Sequence, residues 1–421
     1  MSTTNNLTPS TSKTRRYFGQ GTYGIIIGCP RLPSENERWD ELLVSETAYN
    51  QVSKIIKDAT NVQKVCNTFD LIHRKINTDD LAQLRKQIAI PTRPQHINWR
   101  VLSQIPDEIQ FLKSHKITNR RHKWHYLLER GTADLDTELR TVSTLNQLKY
   151  FLKGFGNIID GIAALHSVGL VHTDIKLTNM IVSWDGRYKL IDLDELGDTT
   201  IIPVNKNHYE KLFNNIYYPY YSPACVFLKV LAITSVSDWD SSTCNVLFKT
   251  LIKKNYDKDY HKYFNDISQN VLKIADDNEL SQIIREPYEN DLAMINYLTD
   301  FKDRLGSQPN NTCAQQELLL FIDRYALGIN LLILLGKYYR ISGQWKIPNA
   351  TGASDTTMSK CEFIAQGLIA LIKLCCNPAN YSVITTQQIA NEYNMFITHL
   401  FRAYPFKFII KLLSGFRTGI F

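Results

Sequence analysis

The spacing of apolar residues changes along the chain. From Tyr17 to about residue 57 they come in short runs broken by glycine and proline. Tyr17-Phe18, Ile25-Ile26-Ile27 and Val52–Ile56 read as strands, with a proline-containing loop before the last of them. Helical patterning follows from Asn61 to Lys75 and again around Asp80–Gln87. A basic connector, Lys113–Lys123, then leads to a short apolar strand, Tyr126-Leu127-Leu128. Between Leu145 and His166, residues Leu148, Phe151, Phe155, Ile158, Ile159, Ile162 and Leu165 recur near the 3.6-residue period, which predicts one long amphipathic helix. Gly169 and a polar loop come next, then two strands, Met180–Ser183 and Tyr188–Ile191, joined by the turn pair Asp185-Gly186. Beyond residue 200 the pattern is mostly helical. Strands first and helices afterwards predict an α+β protein of two lobes.

Composition narrows the class without naming a function. The chain has 421 residues, of which 44% are hydrophobic, enough for a large core. The net charge of +7 is spread along the chain, so it predicts no specific nucleic-acid binding, and Arg120-Arg121-His122-Lys123 reads as an exposed connector. None of the eight cysteines is paired in Cys-x-x-Cys spacing, which points to buried thiols in a reducing, cytoplasmic setting; Cys375 and Cys376 read as core. Residues 1–16 are polar and read as a disordered arm. The most apolar windows, Leu327–Leu335 and Gly367–Cys376, read as too short or too interrupted to cross a bilayer, so no membrane span is expected. Tyr404–Phe421 reads as a helix packed on the main body.

The chemistry concentrates in Val171-His172-Thr173-Asp174-Ile175-Lys176-Leu177-Thr178-Asn179. Phosphoryl transfer from ATP is mainly a matter of positioning and charge stabilisation. It needs a carboxylate to orient an acceptor hydroxyl, a cation to offset charge on the γ-phosphate, and oxygen ligands for Mg2+. Asp174, Lys176 and Asn179 supply such groups within one arc. Asp192 follows at the end of the strand Tyr188–Ile191, and the hairpin lets it face the same metal site as Asn179. Upstream, Gly19-Gln20-Gly21-Thr22-Tyr23-Gly24 has the form G-x-G-x-x-G, in which glycines let backbone amides approach phosphates. Strand, not helix, continues through Ile25–Ile27, which argues against a dinucleotide fold.

These residues closely resemble the signature set of the eukaryotic protein kinases, from about Tyr17 to about His399. The resemblance implies a two-lobed kinase fold: a β-rich N-lobe and hinge over 17–131, and a helical C-lobe over 132–421 with an inserted helical segment at 225–320. It implies that Gly19 to Gly24 cover ATP, that Asp174 is the catalytic base and that Lys176 contacts the phosphate. Asn179 and Asp192 would hold Mg2+. Tyr126–Gly131, with Glu129, resembles the hinge that receives adenine, and Asp323 the residue that braces the catalytic loop. The Asp-x-Lys-x-x-Asn form is similar to serine/threonine kinases, so the substrate would be a protein Ser or Thr hydroxyl. The Val52-Ser53-Lys54 strand, the long loop before it and the inserted C-lobe are similar to kinases of large cytoplasmic DNA viruses, implying host cytoplasm or virion.

The pattern also departs from that family. Lys54 and Lys57 compete as the lysine that orients the α/β-phosphates. They point to opposite faces of the strand, and Lys54, which shares a face with Val52, is preferred. Its helix partner should be glutamate, but Asp70 is the only carboxylate at a plausible distance. Thr173 stands where the family has an arginine that reads a loop phosphate, which predicts activity without activation-loop phosphorylation. Leu193 and Asp194 follow Asp192 in place of Phe and Gly, and Tyr221-Ser222-Pro223-Ala224 ends the activation segment without its glutamate. Two alternatives stay open: a pseudokinase that binds nucleotide or scaffolds partners, and a small-molecule or lipid kinase on the same fold.

Overall fold

The computed structural model describes residues 16–20, 24–28, 31–57, 59–200, 270–289, 312–343, 360–377, 380 and 383–402. Gly21, Thr22, Tyr23, the N-terminal arm, the activation-segment end at 217–224, most of 225–320 and the stretch 404–421 lie outside the described residues. The chain divides into two compact units, Met1–Thr132 with Val182–Arg187, and Ala133–Ile181 with Tyr188–Phe421. The first is built on a β-sheet and the second on helices, the division expected of a protein-kinase-like α+β fold.

In the first unit, β1 (Arg16–Gln20), β2 (Gly24–Gly28), β3 (Gln51–Ile56), β4 (Gln95–His96) and β5 (Trp124–Glu129) form an antiparallel sheet in the order β1-β2-β3-β5-β4. Two-residue alternation divides its side chains between two cores. Ile25, Ile27 and Ile55 pack with Leu32, Ile97, Leu102, Leu112 and Ile117. Val52, Ile56, Tyr126 and Leu128 pack on the other face, with Val65 of the helix α3 (Ala59–Lys75). Lys54 belongs to this second face by register.

Two short helices, α1 (Trp39–Val44) and α2 (Glu46–Tyr49), occupy the segment read as a loop before β3. Each is too brief to show a period, and each forms by burying one residue, Leu42 and Ala48 respectively. Arg31 anchors their approach. Its guanidinium forks onto the Glu37 carboxylate at 2.7 and 2.5 Å, and Glu37 also accepts the Ser34 amide at 2.8 Å. These bonds, the Arg31 contact foremost, hold the Glu37 carboxyl down at about 2 against an ordinary 4.5. A depressed carboxylate stabilises the fold above its unfolded pKa, and that contribution disappears as pH falls from about 4.5 towards 2. Because Glu37 is a third exposed, the expected contribution is discounted to about 1–2 kcal/mol. Urea midpoints measured between pH 6 and pH 3 should fall more steeply for the wild type than for Glu37→Gln; parallel slopes would refute the assignment.

Three more helices complete the first unit: α4 (Thr78–Leu84), α5 (Trp99–Leu102) and α6 (Pro106–Ser114). The last two lie inside the β4–β5 connection.

The second unit begins with α7 (Leu135–Thr141) and α8 (Leu145–Ser167). Thr144 and Gln147 form a reciprocal capping box at the start of α8, which satisfies amides that a helix start leaves open. The expected apolar stripe of α8 is buried. Short strands follow along the chain: β6 (Leu170–Val171), β7 (Met180–Ser183), whose last two residues and the turn after it belong to the first unit, β8 (Tyr188–Leu190) and β9 (Gly197–Asp198). Gly186 takes φ 79° in the turn after β7, a conformation that suits glycine.

The helical core is α9 (Asn270–Ala275), α10 (Asn278–Glu289), α11 (Thr312–Ile341), α12 (Lys360–Cys376) and α13 (Thr386–Arg402). Helices α11 and α12 approach closely at Gly328, where a Cβ would collide with Cys376 Sγ and Cys375 Cβ. Both cysteines are fully buried free thiols, and burial pushes the Cys375 thiol up to about 12. The described part of the insertion packs on this core. Val271, Leu272, Leu280, Ile283 and Ile284 are buried, and Lys373 of α12 bonds Asp277 at 2.9 Å and Glu279 at 2.7 Å.

One expectation about length is corrected. Leu319–Ile341 within α11 is long and apolar enough to cross a membrane, but 89% of the window is buried in the protein. The run looks shorter in sequence because Asp323, Arg324 and Lys337 interrupt it. In the fold it is the central core helix.

Candidate active site

The loop between β6 and β7 is shaped by a carboxylate from a distant helix. Asp323 of α11 is fully buried and accepts the backbone amides of His172 at 2.6 Å and Thr173 at 2.8 Å. His166, at the end of α8, adds its Nε2 to Asp323 at 3.0 Å and meets the Thr386 hydroxyl through Nδ1 at 2.5 Å. Thr173 takes φ 68°, a left-handed conformation that a β-branched residue rarely adopts. Such strain costs about 1–3 kcal/mol, and charge-assisted bonds worth about 1.5–3 kcal/mol each offset it.

His172 links this loop to the next strand. Its Nε2 lies 2.9 Å from the Ile191 carbonyl, and its Nδ1 receives the Asp174 amide at 3.3 Å. A carbonyl requires a donor and an amide an acceptor, so the ring is the neutral Nε2–H tautomer. The Ile191 amide in turn donates to the Asn179 carbonyl at 2.9 Å. Asp192 therefore follows a residue tied to the loop on both sides. It too is left-handed, at φ 63° and ψ 59°, a state that aspartate tolerates better than most residues.

Asp174, Lys176 and Asn179 come together. Lys176 Nζ lies 2.7 Å from Asp174 Oδ2, and Asn179 Nδ2 donates to the same oxygen at 2.7 Å and to the Asp174 carbonyl at 2.9 Å. Both of these side-chain contacts fall on Oδ2. With its nitrogen committed to Asp174, the Asn179 amide turns its oxygen the other way. That oxygen and the Asp192 carboxylate are hard donors that suit Mg2+. Among the described residues no group of three or more His, Cys, Asp and Glu side chains converges. A cation held here would complete its shell with phosphate oxygens and water, as magnesium usually does.

The first unit carries the other named residues. Gly19 and Gln20 end β1 and Gly24 begins β2, and these two strands pair antiparallel. Lys54 is buried, pairs in register with Ile26 and Tyr126, and sets its ammonium 5.6 Å from the Tyr126 ring centroid. Lys57 lies just past the strand, where its charge acts on His122. Glu129 ends β5, and its carboxylate accepts the Ser183 hydroxyl.

The suggested partner of Lys54 is corrected. Asp70 is half exposed and bonds Arg93 at 3.3 Å. At 100° per residue it falls on the face of α3 opposite the buried Val65, Thr68 and Ile72, and so turns away from β3. His166 and Thr386 were not singled out from the sequence. The available signal was a histidine at the buried end of an apolar helical stripe.

No protein-family model matches the chain. Over 177 residues, 42% of this chain, it is 26% identical to the serine/threonine-protein kinase stk11 of Xenopus laevis and to the serine/threonine-protein kinase STK11 of Gallus gallus. The chain spans about a third of the length of these curated relatives, 33% and 32%. Among solved structures, the kinase domain of a Toxoplasma gondii specific rhoptry antigen aligns with a TM-score of 0.45 and 14% identity, covering 92% of this chain and 82% of that one. Sequence similarity and the order of elements together support a relation to the protein kinases.

Proposed function

We propose that the chain is an active serine/threonine protein kinase that transfers the γ-phosphoryl group of ATP to protein hydroxyls. The observation that carries this reading is the Asp174 carboxylate, with Lys176 and Asn179 on one oxygen, in a loop bonded on both sides to the residue before Asp192. Asp174 Oδ1 would accept the proton of the acceptor hydroxyl and hold that oxygen in line for attack. Lys176 would follow the γ-phosphate as charge shifts onto its oxygens. Bound Mg2+ would neutralise triphosphate charge, held by Asn179 Oδ1 and Asp192. Lys54, desolvated on β3, would orient the α- and β-phosphates, and the glycine-rich segment would offer amides to them.

Thr173 belongs to the same proposal. Its side chain is buried, and its amide is committed to Asp323. The loop is thus shaped by a fixed carboxylate, so no activating phosphate is needed to order it. The likeness to kinases of large DNA viruses, and a cytoplasmic place of action, extend the proposal and rest on the sequence alone.

The test is transfer of label from γ-radiolabelled ATP to generic protein substrates by the full chain. Magnesium-dependent labelling on Ser and Thr, abolished by EDTA, is the expected outcome. Nucleotide binding without labelling would favour the pseudokinase instead, and labelling of lipid or a small molecule but not protein would move the substrate class.

A further inference from the structure

The connection between β4 and β5 is not a tight turn. His96 and Trp124 pair, and residues 97–123 stand between them as α5, α6 and a terminal loop. From Ile109 to Leu128 the chain contains no carboxylate, while Lys113, Lys116, Arg120, Arg121 and Lys123 are all exposed. Elsewhere on the described surface, Arg38, Arg93, Arg140, Arg187 and Lys373 each meet a carboxylate. Among the described residues, the loop cations meet none.

The loop that carries them is held by packing and hydrogen bonds. Ile117 is buried with Leu112, and their backbones close a Schellman motif: the Ile117 amide bonds the Leu112 carbonyl and the Lys116 amide the Lys113 carbonyl, both at 2.9 Å. His122 is buried; its Nδ1 accepts the Thr118 amide at 3.1 Å and its carbonyl accepts Trp99 Nε1 at 2.8 Å. Burial, with the charges of Arg121 and Lys57, pushes the His122 pKa below its ordinary value. A buried acceptor imidazole can therefore sit beneath a positively charged loop without joining its charge.

Lys116 occupies the left-handed position of the motif, at φ 59°. Glycine is the residue that suits this position, so the lysine adds strain where it adds charge. Lys113 and Lys116 also complement the carboxyl end of α6, but Arg120, Arg121 and Lys123 lie beyond the last turn and gain nothing from it.

We propose that this β4–β5 insertion is a docking site for an acidic polypeptide segment, read by Lys113, Lys116, Arg120, Arg121 and Lys123. Charge complementarity identifies the partner's sign, and Arg120 and Arg121 offer the forked geometry that carboxylates accept. Two other polyanions fit less well. The loop exposes no large apolar side chain to enter a membrane; the large hydrophobics exposed among the described residues are Tyr150, Trp184, Val383 and Met395. It likewise offers no exposed aromatic ring for stacking bases. Because the loop is already ordered, little conformational freedom would be lost on binding.

The test uses the full chain, a fluorescent Glu/Asp-rich peptide, a DNA duplex of matched charge and anionic phosphatidylserine vesicles, each over a range of salt. Saturable, salt-sensitive binding of the peptide in preference to the other two is expected. Lys116→Gly should weaken peptide binding about threefold while raising the denaturant midpoint, and Arg120→Ser/Arg121→Ser should weaken it about tenfold or more. The charge-matched control Arg74→Ser/Arg85→Ser should leave binding unchanged. Equal losses in the control, unchanged binding in the loop variants, or preference for duplex or vesicles would overturn the proposal. Phosphoryl transfer is not involved, so the docking result stands or falls apart from the kinase assay.

Discussion

Asparagine in place of Asp174 is expected to lower phosphoryl transfer by about a hundred- to ten-thousand-fold, with ATP affinity nearly unchanged. The substitution keeps the shape of the side chain and removes its basicity. It also replaces one carboxylate oxygen by an amide nitrogen. If the oxygen stays on the Lys176 and Asn179 side, where it is bonded at 2.7 Å to each, the amide nitrogen turns toward the incoming hydroxyl. A donor there cannot accept a proton. The effect should therefore appear in kcat with little change in KM for ATP. Steady-state kinetics with a peptide substrate decide the matter, and a variant with more than a tenth of wild-type kcat would remove Asp174 from the base role.

Asp323→Asn should destabilise the second unit by about 2–4 kcal/mol and lower activity without touching substrate. The carboxylate receives donors from His172, Thr173 and His166. An amide has one acceptor oxygen, so its nitrogen would face at least one of these N–H groups. That is a buried donor–donor contact, worse than a lost bond. The strained backbone at Thr173 would then lose the bonds that offset it and relax, moving the chain that leads to Asp174. Urea unfolding monitored by circular dichroism gives the stability term. Kinetics at a temperature where the variant is still folded give the positional one. A stability loss with full activity in the folded fraction would mean that Asp323 only supports the core.

Both expectations rest on geometry of unequal visibility in the sequence. Asp174, Lys176 and Asn179 fall within six consecutive residues, so one turn of chain must keep them near each other whatever surrounds them. The helix over 145–166, the hairpin turn at Asp185-Gly186 and the strand at 126–128 were likewise legible, because each depends on a local period or a local φ preference. The partner of Lys54 was not. Assigning Asp70 required knowing which face of α3 lies against β3, and a shift of one position along a helix turns a side chain by 100°. In the structure that face carries Val65, Thr68 and Ile72, and Asp70 bonds Arg93 instead.

The β4–β5 insertion shows the same limit from the other side. Its charge was plain in the residue list, and it read as an exposed connector. That its loop is ordered depends on Ile117 and Trp99, which pack on the sheet, and on His122, which bonds Trp99 and Thr118.

Residue order by itself determined the succession of strands and helices and the Asp-Lys-Asn arc, since short-range sterics and periodicity act within a few residues. Only the tertiary structure decided that Asp323, about 150 residues further on, would hold the loop amides, that His166 would pass that bond on to Thr386, and that Asp192 would follow a residue tied to the loop on both sides. Those contacts join segments far apart in the chain. Burial selects them by requiring each enclosed donor and acceptor to find a partner, a condition that no local stretch of sequence can express.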